Sequence, residues 1–96
     1  MSPHSEAAVA ALPMPARILR ELAMLKRLAL SANRAGGGWV SRTVLADIIR
    51  ARGQVNEMEA ALREMEALGH VESMPFQHGH VWRATASGIA VDRAAP

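Results

Sequence analysis

Asn56, Ala60, Arg63 and Ala67 follow one another at four, three and four residues, so at about 100° per residue they form one line along a helix. Their side chains suit the edge of a nucleic-acid base: asparagine pairs with adenine, arginine with guanine, and alanine permits close approach. Carboxylates border that line. Glu59 and Glu66 stand on one side and Glu57 and Glu64 on the other, where the phosphate walls of a groove would run and where each would repel the backbone. Residues 57–72 carry five glutamates against Arg63, a local charge of −4 that leaves +6 for the rest of a chain whose formal net charge is +2. The molecule is expected to be electrically two-sided, and a pI near 10.4 reports mainly that most of its bases are arginines.

Two of the four glutamates beside that line have a local structural role. Glu57 and Glu59 in the first turn of a helix oppose its dipole favourably, each by about 0.3–1 kcal/mol. Glu59 also precedes Arg63 by four residues, an orientation that stabilises a helix by about 0.2–0.5 kcal/mol and holds the arginine away from a base. Asn56 with Glu59 has the form of a capping box, which would occupy the asparagine. Glu64 and Glu66 are left to solvate an exposed face or to meet a partner.

Other chemistry is sparse. The tip of a candidate hairpin, "PFQHGH", holds no lysine or arginine; Gln77 can touch phosphate, protonated His78 or His80 can help at low pH, and the first cation beyond is Arg83. His78 and His80 lack a third ligand, because His70 falls opposite Thr85 if Pro75 pairs with His80, so no metal site is expected. Trp39 and Trp82 are read as buried anchors, with Phe76 the remaining core aromatic, and Met58 and Met65 as core filler. Arg17, Arg20 and Arg27 share one helix face and, with Arg42, Arg50 and Arg52, form the expected positive surface, with Glu21 and Asp47 as local partners. No nucleophile, base and oxyanion group converge, and "AGGGW" lacks the lysine of a phosphate-cradling loop, so neither an enzyme nor a cofactor is expected.

The elements that must position these residues read as follows. At 96 residues there is room for one domain. The absence of cysteine excludes disulfides and suits a reducing cytoplasm. Residues 1–14 are read as a mobile arm, since no lysine or arginine precedes its apolar run as in a signal peptide, and no apolar stretch suits a membrane span. A first helix is expected from Pro15 to about Asn33, with Ile18, Leu22, Leu25 and Ala29 on one stripe and Leu19, Ala23 and Leu30 widening it, so that it packs on two neighbours. One neighbour is the C-terminal segment or a second copy of the chain. A very short strand at "WV" leads to a second helix capped by Ser41, burying Val44, Leu45, Ile48 and Ile49 and ending at Gly53. The third helix runs from Asn56 to Leu68, ends at Gly69, and buries Met58, Ala61, Leu62, Met65 and Leu68. Strands "HVESMP" and "HVWRAT" joined by "FQHG" follow. A single helical turn and a frayed tail at 94–96 close the chain.

That order is α+β and mainly α. With "WVS" before the second helix, "L..M..LGHVE" entering the hairpin and "W.AT..G" leaving it, residues 15–93 resemble a winged helix-turn-helix domain, similar to the ArsR and MarR repressors and more closely to small winged-helix proteins of Mu-like phages and prophages. The resemblance implies a third helix in the major groove of double-stranded DNA, a hairpin wing on the backbone, and a homodimer through the first helix and the C-terminal segment. It implies a phage or bacterial transcription regulator contacting DNA through Arg42, Thr43, Asn56, Ala60, Arg63, Gln77, His78 and Arg83. The glutamates suggest a different use of the same scaffold: a phage-encoded interaction module, an anti-CRISPR-like inhibitor of a host nucleic-acid-binding or defence complex, setting Glu57, Glu59, Glu64 and Glu66 against a basic protein surface.

Overall fold

The structure, a computed structural model, describes residues 12–34 and 36–95; most of the expected arm lies outside the described residues. Helix α1 spans Met14–Ser31, β1 Val40–Ser41, α2 Arg42–Ile48, α3 Val55–Ala67, β2 Val71–Phe76, β3 Gly79–Ala84 and α4 Ala86–Ala94, with a 3-10 turn at Arg52–Gln54. The class is α+β, mainly helical. Among the described residues no helix is long and apolar enough to cross a membrane.

Helix α1 begins with proline in its first turn, where a missing N–H costs nothing, and takes Met14 from the expected arm. Its stripe seals the core: Ile18, Leu22 and Ala23 are wholly buried. Leu30, expected on the same face, is exposed, because the chain turns away there. Three helices end alike. In each, a residue with positive φ follows the last turn: Asn33 (60°), Arg50 (58°) and Gly69 (80°). The next amide closes back on the helix: Arg34 N–H to Ala29 O at 2.7 Å, Ala51 N–H to Ala46 O at 2.7 Å, His70 N–H to Met65 O at 2.9 Å. These are Schellman closures, which satisfy carbonyls that a helix end would leave bare.

The closure at Arg50 corrects the expected end of α2 at Gly53: the helix stops at Ile48, and an arginine takes the left-handed position. Ser41 caps α2 as expected, its Oγ accepting from Val44 N–H at 3.2 Å. The buried face is Leu45, Ala46 and Ile49; Val44 and Ile48 are exposed, contrary to expectation. Two turns of helix bury one arc, and at about 100° per residue Val44 and Ile48 lie on the flank opposite Ala46. On α3, Met58, Ala61, Leu62 and Met65 are buried, while Leu68, past the last turn, is exposed. The capping box does not form. Helix α3 starts one residue early with Gln54 at its N-cap and no side-chain cap, which leaves Asn56 inside the first turn and exposed.

The sheet is antiparallel in the order β1-β3-β2, with Val40 opposite Trp82 and, along the hairpin, Val71 opposite Ala84 and Pro75 opposite His80. Strand β2 is therefore an edge. The hairpin closes through Gln77 and His78, tighter than the four-residue link expected, with Gln77 at φ 54°. Trp82 points inward at 1 % exposure and joins Ile18, Leu22, Leu45, Met58 and Leu62 in one core. Full burial of such aliphatic side chains stabilises by about 1.5–3 kcal/mol each.

The C-terminal segment is a full helix, not one turn. Thr85 caps α4, its Oγ1 accepting from Gly88 N–H at 3.0 Å while donating to Gly69 O at 2.6 Å. Helix α4 packs on α1 and so is one of the two neighbours that the wide apolar face of α1 called for.

Candidate functional site

Between the start of α2, the outer face of α3 and the hairpin tip lies an open cleft of about 790 Å³. Its lining brings together Arg42, Thr43, Arg63, Gln77 and His78, five of the eight residues expected to touch DNA. Ser41 seats Arg42 and Thr43 by capping α2. The buried Met58, Leu62 and Met65 turn Glu59 and Arg63 outward on α3, and the tight hairpin carries Gln77 and His78 across from them. Asn56 and Ala60 lie on the exposed side of α3 but do not line the cleft, and neither does Arg83.

One carboxylate, Glu59, lies between the two cations of the cleft. Glu59 Oε2 accepts from Arg42 Nη1 at 2.8 Å, and Glu59 Oε1 lies 3.9 Å from Arg63 Nη2. Arg63 Nη1 also reaches Glu66 Oε1 at 3.5 Å, and its guanidinium sits 5.0 Å from the centroid of the Trp82 ring. These side chains remain open to water: Arg42 is 52 % exposed, Arg63 48 % and Glu59 33 %. Exposed pairs of this kind contribute about 0–1 kcal/mol, and a partly hydrated cation over an aromatic face adds about 0.5–1 kcal/mol.

Glu66 has a structural role that its sequence position hides, for it accepts from Ser73 Oγ and ties α3 to β2. Glu57 and Glu64 are exposed and make no ion pair among the described residues. Arg83 pairs with Glu72 across the hairpin, and its guanidinium stacks 4.2 Å from the centroid of the Trp39 ring. That leaves Trp39 half-buried as the platform for a cation, where a core anchor was expected.

Phe76, expected in the core, is 53 % exposed at the hairpin tip and lines the cleft. Its register explains this: it stands opposite Gly79, at the last pair before the turn, at the far end of the hairpin from the buried Val71 and Ala84. His78 and His80 are exposed too, and no three His, Cys, Asp or Glu side chains group as metal ligands among the described residues.

The expected positive surface on α1 is largely drawn inward. Arg17 Nη1 donates to Ile49 O at 3.2 Å, closing the end of α2. Arg20 Nε donates to Asp92 Oδ1 at 2.7 Å, and Arg27 Nη1 lies 3.5 Å from Asp92 Oδ2. Asp92, 7 % exposed, is the buried charge on which α4 is clamped to α1. Asp47 is the local partner expected of it, accepting from Arg52 Nε at 2.7 Å. Burial raises the Glu21 carboxyl above its ordinary pKa, opposed in part by the adjacent Arg20 charge.

No protein-family model, curated protein or solved structure matches the chain.

Proposed function

We propose that the chain is a winged helix-turn-helix DNA-binding protein, a transcription regulator of the bacterial or phage kind, in which α2 and α3 form the helix-turn-helix and β2–β3 the wing. The element order and a sheet in which β1 flanks the hairpin through β3 support this fold reading. One observation carries the function: Arg42, Thr43, Arg63, Gln77 and His78, from three separate elements, converge on one open cleft. The ion pairs there do not forbid it. Releasing an exposed arginine costs about 0–1 kcal/mol, whereas a bidentate contact to guanine is worth about 1–3 kcal/mol of discrimination. A dimer through α1 and α4 belongs to the same reading, using the exposed Met24, Leu28 and Val91; sedimentation showing a monomer at every concentration would remove it.

The test is fluorescence anisotropy with duplexes selected from a random pool, at graded salt. Affinity should fall steeply with salt, and Arg63→Ala should cost about 1–3 kcal/mol on the selected site with little change on random DNA. Absence of salt-dependent binding to any duplex would sink the reading.

A specific observation favours a second reading, a protein-interaction module with a basic partner. Glu57 and Glu64 stand exposed and unpaired among the described residues, and the hairpin tip presents Phe76 but no cation. Under this reading Glu64→Lys with Glu66→Lys abolishes partner capture, and no variant binds DNA. Charge reversals that create DNA binding would return α3 to the groove.

A further inference from the structure

Among the described residues Glu59 is the one carboxylate that pairs with both cleft arginines, and the two come from different helices. Glu66 shares Arg63 but is itself engaged by Ser73 of β2, and Glu57 and Glu64 hold neither cation. Met58, next in the chain and wholly buried, fixes the stretch of α3 from which the Glu59 carboxylate reaches the cleft. A carboxylate and a phosphate present the same paired oxygens to a guanidinium, so an incoming phosphate competes with Glu59 for the same donors.

We propose that Glu59 is a charge gate that suppresses non-specific DNA binding and thereby determines specificity. This rests on the reading of the cleft as a DNA-facing surface. On random sequence, a phosphate that takes Arg42 or Arg63 displaces Glu59 and leaves that carboxylate facing the backbone, so the exchange gains little. On a matched site, Arg63 finds a base edge as well, and the exchange proceeds. Glu59 thus acts through the two arginines, and its removal strengthens binding while weakening discrimination.

The experiment compares wild type, Glu59→Gln and Glu64→Gln by anisotropy on a random-sequence duplex and on duplexes selected from a random pool, across a salt series, with a thermal melt of each protein. Glu64→Gln removes the same charge from α3 without freeing an arginine. Glu59→Gln is expected to bind the random duplex about ten-fold tighter at low salt, with the salt slope steeper by about one to two. Its preference for the selected duplex should shrink, whereas Glu64→Gln, which removes a repelling charge but frees no arginine, should gain clearly less on the random duplex and keep both its salt slope and its preference. Equal gains in both variants would overturn the gate in favour of bulk charge. Duplex binding that Glu59→Gln leaves unaltered would overturn the gate while the DNA reading stands. Failure of all three proteins to bind any duplex would remove the DNA reading and the gate with it.

Discussion

Two clusters in this molecule share one chemical plan, a carboxylate set between two arginines, with Glu66 as a second acceptor for Arg63 in one of them, and differ in how much water reaches them. Asp92 with Arg20 and Arg27 lies at the back, its carboxylate 7 % exposed, joining the first and last helices. Glu59 with Arg42 and Arg63 lies at the front, half open to solvent, joining α2 to α3. Burial decides what each can do. A charge shut away from water must keep its partners, because losing one leaves an uncompensated ion in a poorly polarisable place. Charges that water can reach exchange partners at small cost. The rear cluster is therefore architecture, and the front one is free to trade its carboxylate for another anion.

Stability measurements by urea unfolding sharpen that contrast. The largest loss is expected from Gly88→Ala, because a Cβ there falls well inside van der Waals contact of the His70 carbonyl oxygen and would lift α4, with Asp92, off its seat. Such overpacking costs about 1–3 kcal/mol or more, and an unaltered midpoint would mean that α4 is not so closely held. Asp92→Ala should cost about 2–3 kcal/mol, below the range for fully buried pairs because Arg20 and Arg27 keep some hydration. Glu59→Ala should cost less than about 1 kcal/mol; a loss equal to that of Asp92→Ala would erase the distinction between the two clusters.

The smallest effect is pH-dependent. The Glu21 carboxyl has a raised pKa through burial, so between its unfolded and folded values the native state holds the proton more tightly. Stability from this group is present below the unfolded value and lost as pH rises through the folded one. Glu21→Gln should therefore raise stability slightly at neutral pH and leave it unchanged in acid, and a loss at neutral pH would contradict the burial.

Periodicity made the buried side of α1 and α3 legible, because long amphipathic stripes overdetermine their orientation. The hairpin register was legible only as a condition set by the place of the turn, and the structure meets it with Pro75 opposite His80. Short elements were not. Two turns of α2 are too few to fix a stripe, and local capping signals at Asn56 lost to packing, which started α3 at Val55 on Gln54. Five residues lining the cleft were expected one by one, while Trp39, Phe76 and Trp82 were expected in the core; the convergence and the sharing of Glu59 depend on contacts across 17 residues of sequence, to which no local pattern points. Asp92 was the hardest to see, lying 72 residues from Arg20 in a segment that reads as no more than a single helical turn.

Strand β2 leaves one rim of the sheet open, and Pro75 stands in it. A proline has no amide hydrogen to offer an approaching backbone, and rings of this kind blunt strand-to-strand docking. Crowded copies are thus hindered from stitching their ribbons into a continuous ladder, and the Phe76 beside that rim stays available for a different kind of contact.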